Sequence, residues 1–412
     1  MDNINSFTFV LKPGRKIISG EILALILFVF AAACPRASSA QSFTRTSGQN
    51  SSQIDLMKLT KKADSGDIQS QVELGFAYQF GKGVEQNMDE AIRWYRKAAN
   101  NGDAAAQNNL GYLYEKGPKT VKDLGEAGKW YMRAAVDGSP ISQLNLGLLY
   151  LRGEGMKKST EDAVYWIERA AAAEEPRALA TLGFLYSVGL GVPKDPTRAF
   201  KLTQKAAKKN EPSGQALLGT LYATGLGVSK NAAQAVNWYR KAAKAGNASA
   251  QYGLGIMYEA GQGVERDRKQ MLRQFRIAGE NGSIEAQAGL GEIYEFGQGV
   301  DVDCEEAAKW YRRAAEQGNV ISATRLGTML FRGEGIEQDL IETVKWWTFA
   351  AERGNSEAQL GLARLYWKGS GVEHNLAKAY ALFTLAGKTT DVSGELSELS
   401  SDMKQMEMAS AH

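Results

Sequence analysis

The 412-residue sequence predicts an all-α solenoid, nine 36-residue helix–turn–helix repeats set between an N-terminal half-repeat and a C-terminal capping helix. Three observations point there. A leucine recurs every 36 residues, nine times without insertion: Leu74, Leu110, Leu146, Leu182, Leu218, Leu254, Leu290, Leu326 and Leu362. A glycine follows seven residues later in all nine copies, from Gly81 to Gly369. Behind it, aromatic and alanine positions repeat at helical spacing. Self-similarity at such a period marks stacked supersecondary units, none of which can bury its apolar face alone.

The N-terminus reads as an export signal, residues 1–40. Lys12, Arg15 and Lys16 precede the uncharged run Ile22–Ala33, and Ser38-Ser39-Ala40 supplies the small-residue exit for cleavage after Ala40. Twelve helical residues span about 18 Å, short of a bilayer core of roughly 30 Å, which argues against an uncleaved anchor. Ala31-Ala32-Ala33-Cys34 resembles a lipoprotein signal but lacks the aliphatic residue three before the cysteine. Export of this kind delivers the chain to the periplasm or out of the cell. Residues 41–53 form a Ser/Gln/Thr-rich flexible linker. Residues 54–66 are the half-repeat cap, since Ile54–Ala63 aligns with the second helix of a repeat.

The nine copies occupy 67–102, 103–138, 139–174, 175–210, 211–246, 247–282, 283–318, 319–354 and 355–390. In helix A the repeat leucine, the residue three on and the tyrosine four on (Tyr78 through Tyr366, with Leu330 the exception) share one face. The pair Gly81/Gly83 and its counterparts end that helix by supplying positive φ, and only copy two departs, reading Gly117-Pro118-Lys119. N-caps follow at Asn87, Asp123, Ser159, Asp195, Asn231, Asp267, Asp303, Asp339 and Asn375. Helix B then presents Ala91, Trp94, Tyr95, Ala98 and Ala99, echoed by Ala307, Trp310, Tyr311, Ala314 and Ala315, so that large rings fill the gap between closely approaching helices. Residues 391–412 form the capping helix, with Leu396, Leu399, Met403, Met406 and Ala409 at helical spacing.

Composition excludes several classes. The formal charge of +3 falls to about +1 without the four cations and two anions of residues 1–40, too little for a nucleic-acid or anionic-membrane binder. After cleavage only Cys304 remains, so no intrachain disulfide holds the fold.

Residues Ala250–Tyr258, Gly261–Val264 and Asp267, continued by Ala307, Trp310, Tyr311, Ala314, Ala315 and Gly318, resemble the Sel-one-like repeat (SLR) of the tetratricopeptide-like superfamily. The resemblance covers 67–390. It implies a right-handed superhelix that serves as an adaptor in exported signalling, envelope assembly or host contact. A cysteine-rich secreted branch of that family carries a disulfide in each repeat and has been linked to penicillin binding; this chain lacks those cysteines, and nothing specific to that branch is carried over.

The sequence offers no catalytic, cofactor-binding or metal-binding constellation. Its two histidines are His374, in a turn, and His412 at the end. Gly-x-Gly recurs as helix punctuation, not as a phosphate loop after a strand. Ser401 and Lys404 match a penicillin-interacting spacing without the companion motifs, which leaves a weak cell-wall hydrolase or β-lactamase-like enzyme as the rival reading.

Binding is better supported. At about 100° per residue, positions one before and two and six after the repeat leucine lie opposite the core face of helix A, and these columns vary. In tetratricopeptide-like solenoids that side lines the concave groove, so apolar residues there face no core and make a recognition surface. Phe76, Tyr112, Phe184, Arg325, Phe331, Arg364 and Trp367 are the candidate partner-binding residues, the last four concentrated in copies eight and nine, where aromatics and arginines suit a hot spot. Any of them could instead pack against a neighbouring helix A. Nine helices roughly 8–10 Å apart give a surface of about 80 Å, matched to a protein or extended peptide. No cofactor is implied.

Overall fold

The computed structural model describes residues 56–410, with side chains to 406. The signal segment 1–40 with Cys34, the linker 41–53, the first two residues of the half-repeat and His412 lie outside the described residues. Those described form twenty α-helices and no strand. They gather into two compact units, residues 56–242 and 243–410, divided inside the helix Ala232–Lys244. Within each unit, helix A packs on the helix B that follows and on the helix B before it, the nearest-neighbour pattern of a solenoid.

Local chemistry sets the helix ends. The helix Ile68–Phe80 starts at Asp67, whose carboxylate accepts the Ser70 N–H at 2.8 Å, and stops at Gly81 in the left-handed region (φ 65°). In all nine copies the N–H of the residue capping helix B donates to the carbonyl of the residue four past the repeat leucine, as Asn87 does to Tyr78 at 2.9 Å and Asp339 to Leu330 at 3.1 Å. This backbone bond closes the connection between helices in every copy, whatever residue caps helix B. Where glycine is missing after helix B, at the ends of copies three and four, Glu174 and Asn210 take positive φ themselves (56° and 60°), and Glu175 and Glu211 cap the next helix.

Packing inside a copy rests on a contact that the sequence reading left without a role. In six copies the glycine after the repeat leucine lies under a ring of helix B. A Cβ on Gly75 would stand 2.6 Å from the ring of Tyr95, on Gly111 2.6 Å from Tyr131, on Gly219 2.7 Å from Tyr239, and on Gly291 2.5 Å from Tyr311. Where the ring differs the contact persists, Phe275 meeting Gly255 and Trp347 meeting Gly327, both at 2.5 Å. The tryptophan of helix B reaches the preceding copy instead: Trp310, 4% exposed, covers Gly279, while the Arg313 guanidinium lies 4.6 Å above its ring.

Buried glutamines tie the copies together. Three residues before the repeat leucine, Gln71 donates through Nε2 to the Ala63 carbonyl at 3.0 Å, Gln143 to Ala135 at 3.0 Å and Gln287 to Gly279 at 2.8 Å. Each adds a second donor to a carbonyl at the end of the previous helix B, which already accepts the backbone N–H of Gly66, Gly138 or Gly282 at 3.1 Å.

Truncation here should be costly. Trp310→Ala removes a buried ring and is expected to cost about 3–5 kcal/mol. Gly291→Ala forces a methyl into Tyr311 and is expected to cost about 1–3 kcal/mol. Urea midpoints measure both, and unchanged midpoints would contradict this placement of helix B.

Candidate protein-binding surface

On helix A the variable columns are more covered than their spacing implies. Two residues past the repeat leucine, Leu148, Phe184 and Ile256 are 8%, 5% and 7% exposed, and Thr220 is fully buried. Phe184 is thereby corrected from a groove residue to a core residue. Two pairs of successive A helices pack directly on one another, Pro176–Val188 on Pro212–Thr224 and Ile284–Phe296 on Val320–Arg332. Phe76 and Tyr112 are half-buried, Phe331 is exposed with its ring tilted against Trp347 at 5.4 Å, and the exposed Phe296 ring lies 5.9 Å from the Arg325 guanidinium.

Arg364 and Trp367 belong to a different setting. The capping helix Ser393–Ser410 binds both: Glu395 pairs with Arg364 at 2.9 Å, and Asp402 accepts the Trp367 indole N–H at 2.8 Å. The Trp367 ring also meets Phe383 edge-on at 5.9 Å. These two residues hold the end of the chain together, so the expected hot spot across copies eight and nine keeps Arg325 and Phe331 as its available members.

An arrangement the sequence reading missed appears once in each unit. In residues 56–242 the buried Tyr131 hydroxyl donates to Glu115 at 2.9 Å, and the other oxygen of that carboxylate holds Arg152, from the next copy, at 2.8 Å. Burial and Glu115 push the Tyr131 hydroxyl well above its ordinary range, so it remains a donor. In residues 243–410 Tyr311 donates to Glu295 at 2.6 Å, and Arg325, again from the next copy, lies 3.8 Å from that carboxylate. A fixed phenol thus orients a carboxylate, which orients a guanidinium. The signal was present in sequence as glutamate five past the leucine in copies whose helix B carries tyrosine.

Around the first of these sets the surface is concave. Tyr112, Glu115, Lys116, Lys122, Leu124 and Glu154 line a cleft of about 400 Å³. Arg177 acts electrostatically on Tyr112, Tyr131, Glu175 and Glu211. The arrangement offers guanidinium and phenol donors to a peptide carbonyl or carboxylate, with aromatic faces alongside. No group of acids, cysteines and histidines among the described residues could hold a metal ion. Ser401 and Lys404 are both exposed on the terminal helix. No helix among the described residues is long and apolar enough to cross a membrane.

Comparison with known proteins places this geometry. The family model described as Sel1 repeat matches nine segments: residues 68–103, 104–138, 140–174, 176–211, 212–247, 248–270, 284–319, 320–355 and 356–388. The sixth match stops short within helix B, where Met271 and Gln274 replace the usual alanine and tryptophan. Among solved structures, a Sel1 repeat protein from Oxalobacter formigenes is 34% identical with a TM-score of 0.52, covering 81% of this chain and 99% of its own. A protective antigen of uropathogenic Escherichia coli with an SLR fold is 28% identical with a TM-score of 0.50, covering 87% of this chain and 93% of its own. No curated protein matches the sequence.

Burial raises the carboxyls of Glu175 and Glu211 above their ordinary value. A carboxyl raised in the folded state binds its proton more tightly folded than unfolded, so its contribution to stability grows as pH falls through the raised value. It is lost again as pH climbs back. The wild type should therefore gain stability relative to a Glu175→Gln, Glu211→Gln double variant as pH falls from about 7 to the ordinary carboxyl value of 4.5, read as the difference in urea midpoints. A difference that does not change over that interval would contradict the effect of burial.

Trp367→Ala should loosen the capping helix. Amide exchange in residues 393–406 is expected to accelerate while helix Cys304–Glu316 keeps its protection; unchanged exchange throughout would mean that the terminal helix does not depend on the indole.

Proposed function

The chain belongs to the Sel1 repeat family, whose members generally mediate protein–protein interaction as scaffolds, and from that premise we propose that it is an exported adaptor that binds a protein or extended peptide along its A helices. One observation carries the reading. Arg152 and Arg325, on columns that differ between copies, are paired with carboxylates that buried tyrosines orient, and the Arg325 guanidinium also lies 5.9 Å from the Phe296 ring. Pre-orienting a guanidinium removes part of the ordering cost of binding. Arginine beside aromatic side chains is the composition of interface hot spots.

The positively charged, then apolar, then small-residue N-terminus supports delivery to the periplasm or beyond. There the adaptor either restrains a membrane sensor kinase or contacts host proteins. Likeness to a protective antigen of a pathogenic bacterium supports the host-contact form.

Photo-crosslinking tests the site. A photoreactive residue in place of Tyr112 or Phe331 should capture a discrete protein from envelope or extracellular fractions, and Arg152→Ala or Arg325→Ala should weaken that capture about tenfold, or ~1.4 kcal/mol. A photoreactive residue at the exposed Tyr165 of helix B serves as control. Capture equal at Tyr165, or none at either groove position, would overturn the reading.

A further inference from the structure

The second glycine of each connection has a structural role of its own. A Cβ on Gly155 would lie 2.2 Å from the Leu124 carbonyl oxygen, on Gly227 2.0 Å from that of Pro196, and on Gly335 2.3 Å from the Cys304 carbonyl carbon. On Gly371 it would lie 2.6 Å from the Leu340 Cβ. Each partner is the first residue of the preceding copy's helix B. The glycine lets the loop seat directly on that helix and fill the space beside it.

Copy two alone lacks this glycine, carrying Lys119 there behind Pro118. Its Gly117 is extended (φ −63°, ψ 175°) instead of left-handed, and the chain turns through Pro118–Val121, whose Val121 and Lys122 N–H groups both donate to the Pro118 carbonyl at 2.9 Å. Between this loop and the helix Met88–Asn100 lies a cleft of about 550 Å³, in the size range of ligand sites. Ile92 and Val121, which pack on the core beneath, give it an apolar floor. Arg93, Arg96 and Lys97 stand at its rim against one carboxylate, Asp89. Arg96 is aimed by the Tyr114 hydroxyl at 2.6 Å. Arg93 and Lys97 lie over Trp94 at 5.0 and 4.0 Å, and their ion pairs to Glu90 (3.5 Å) and Asp64 (3.7 Å) are between solvent-accessible side chains, which exchange at little cost.

We infer that this cleft is a docking site for an acidic peptide segment of a protein partner. An apolar or aromatic side chain rests on Ile92 and Val121 while flanking carboxylates meet Arg93, Arg96 and Lys97. The three cations, two of them in exposed and exchangeable ion pairs, select acid, and the apolar floor selects a peptide over a bare phosphate. The inference rests on the protein-binding reading above but uses neither Arg152 nor Arg325.

The probe is a fluorescein-labelled peptide of alternating Glu and Phe, compared by anisotropy with its Gln–Phe twin and with inorganic phosphate as competitor. The purified protein should bind the acidic peptide about tenfold or more tighter than the neutral one, a gap of ~1.4 kcal/mol. Arg96→Glu should remove that preference. So should the loop replacement Pro118→Lys with Lys119→Gly, which restores the Gly-Lys-Gly of copy one and refills the cleft. Melting curves establish that each variant folds, and Arg93→Gln with Arg96→Gln carries the same test if the loop variant does not. Equal binding of the two peptides, no binding, complete displacement by phosphate, or affinity that survives both the loop replacement and the charge variants would overturn the inference. Affinity lost in Arg325→Ala but kept in the loop variant would overturn it too, while leaving the groove reading in place.

Discussion

A ring laid on a glycine sets the distance between the two helices of a copy, and the rest of the architecture follows from that distance. With hydrogen in place of a Cβ at Gly111 or Gly291, the tyrosine of helix B rests on the backbone of helix A itself. Its hydroxyl then extends past the helix to the far side, where Glu115 or Glu295 receives it. Were the helices a methyl further apart, the ring would fall short and the carboxylate would lose the donor that orients it. A packing requirement at the core is thus coupled to the orientation of a charged group at the surface.

Between copies the chemistry is different and more finely divided. Glutamine reaches a carbonyl at the end of the preceding helix, tryptophan covers the preceding alanine or glycine position, and the loop glycine seats on the preceding helix start. No single contact dominates. In a nearest-neighbour array such interface terms accumulate along the chain, so one copy tolerates losing a member that another retains. Copy four shows this: Thr203 stands where others place a ring, against Gly183, and Leu179 stands where others place the glutamine. Its helices nevertheless keep the full thirteen residues.

Much of this was legible in the sequence because the determinants are local. Caps, glycine stops and the helical spacing of apolar residues act over three to four positions, and the N-cap at Asp123 or Asp303 bonds as its spacing implies. The candidate site was less legible because exposure depends on partners a full period away. Phe184 has the pattern of a surface residue and is buried, since the column it occupies meets the next A helix. Arg364 and Trp367 are bound by residues 31 and 35 positions later, in a terminal helix whose sequence does not repeat that of the copies. Period and face determine which side a residue takes; what covers it there is decided by the neighbouring copy.

Departures from the repeat therefore have to be weighed by what they leave behind. Replacing tyrosine by phenylalanine at Phe275 or tryptophan at Trp347 still covers the glycine and opens nothing. Replacing the left-handed glycines after helix B with Glu174 and Asn210 places strain in the backbone and seats two carboxylates, Glu175 and Glu211, in partly desolvated positions at the next helix start. Lys119 differs from both. The lysine stands where other copies place the glycine that seats the loop, and a cleft bordered by cations lies beside this loop. A packed array turns most substitutions into small changes of energy, but substitution at a glycine that seats a loop changes shape, and shape together with charge is what a binding partner reads.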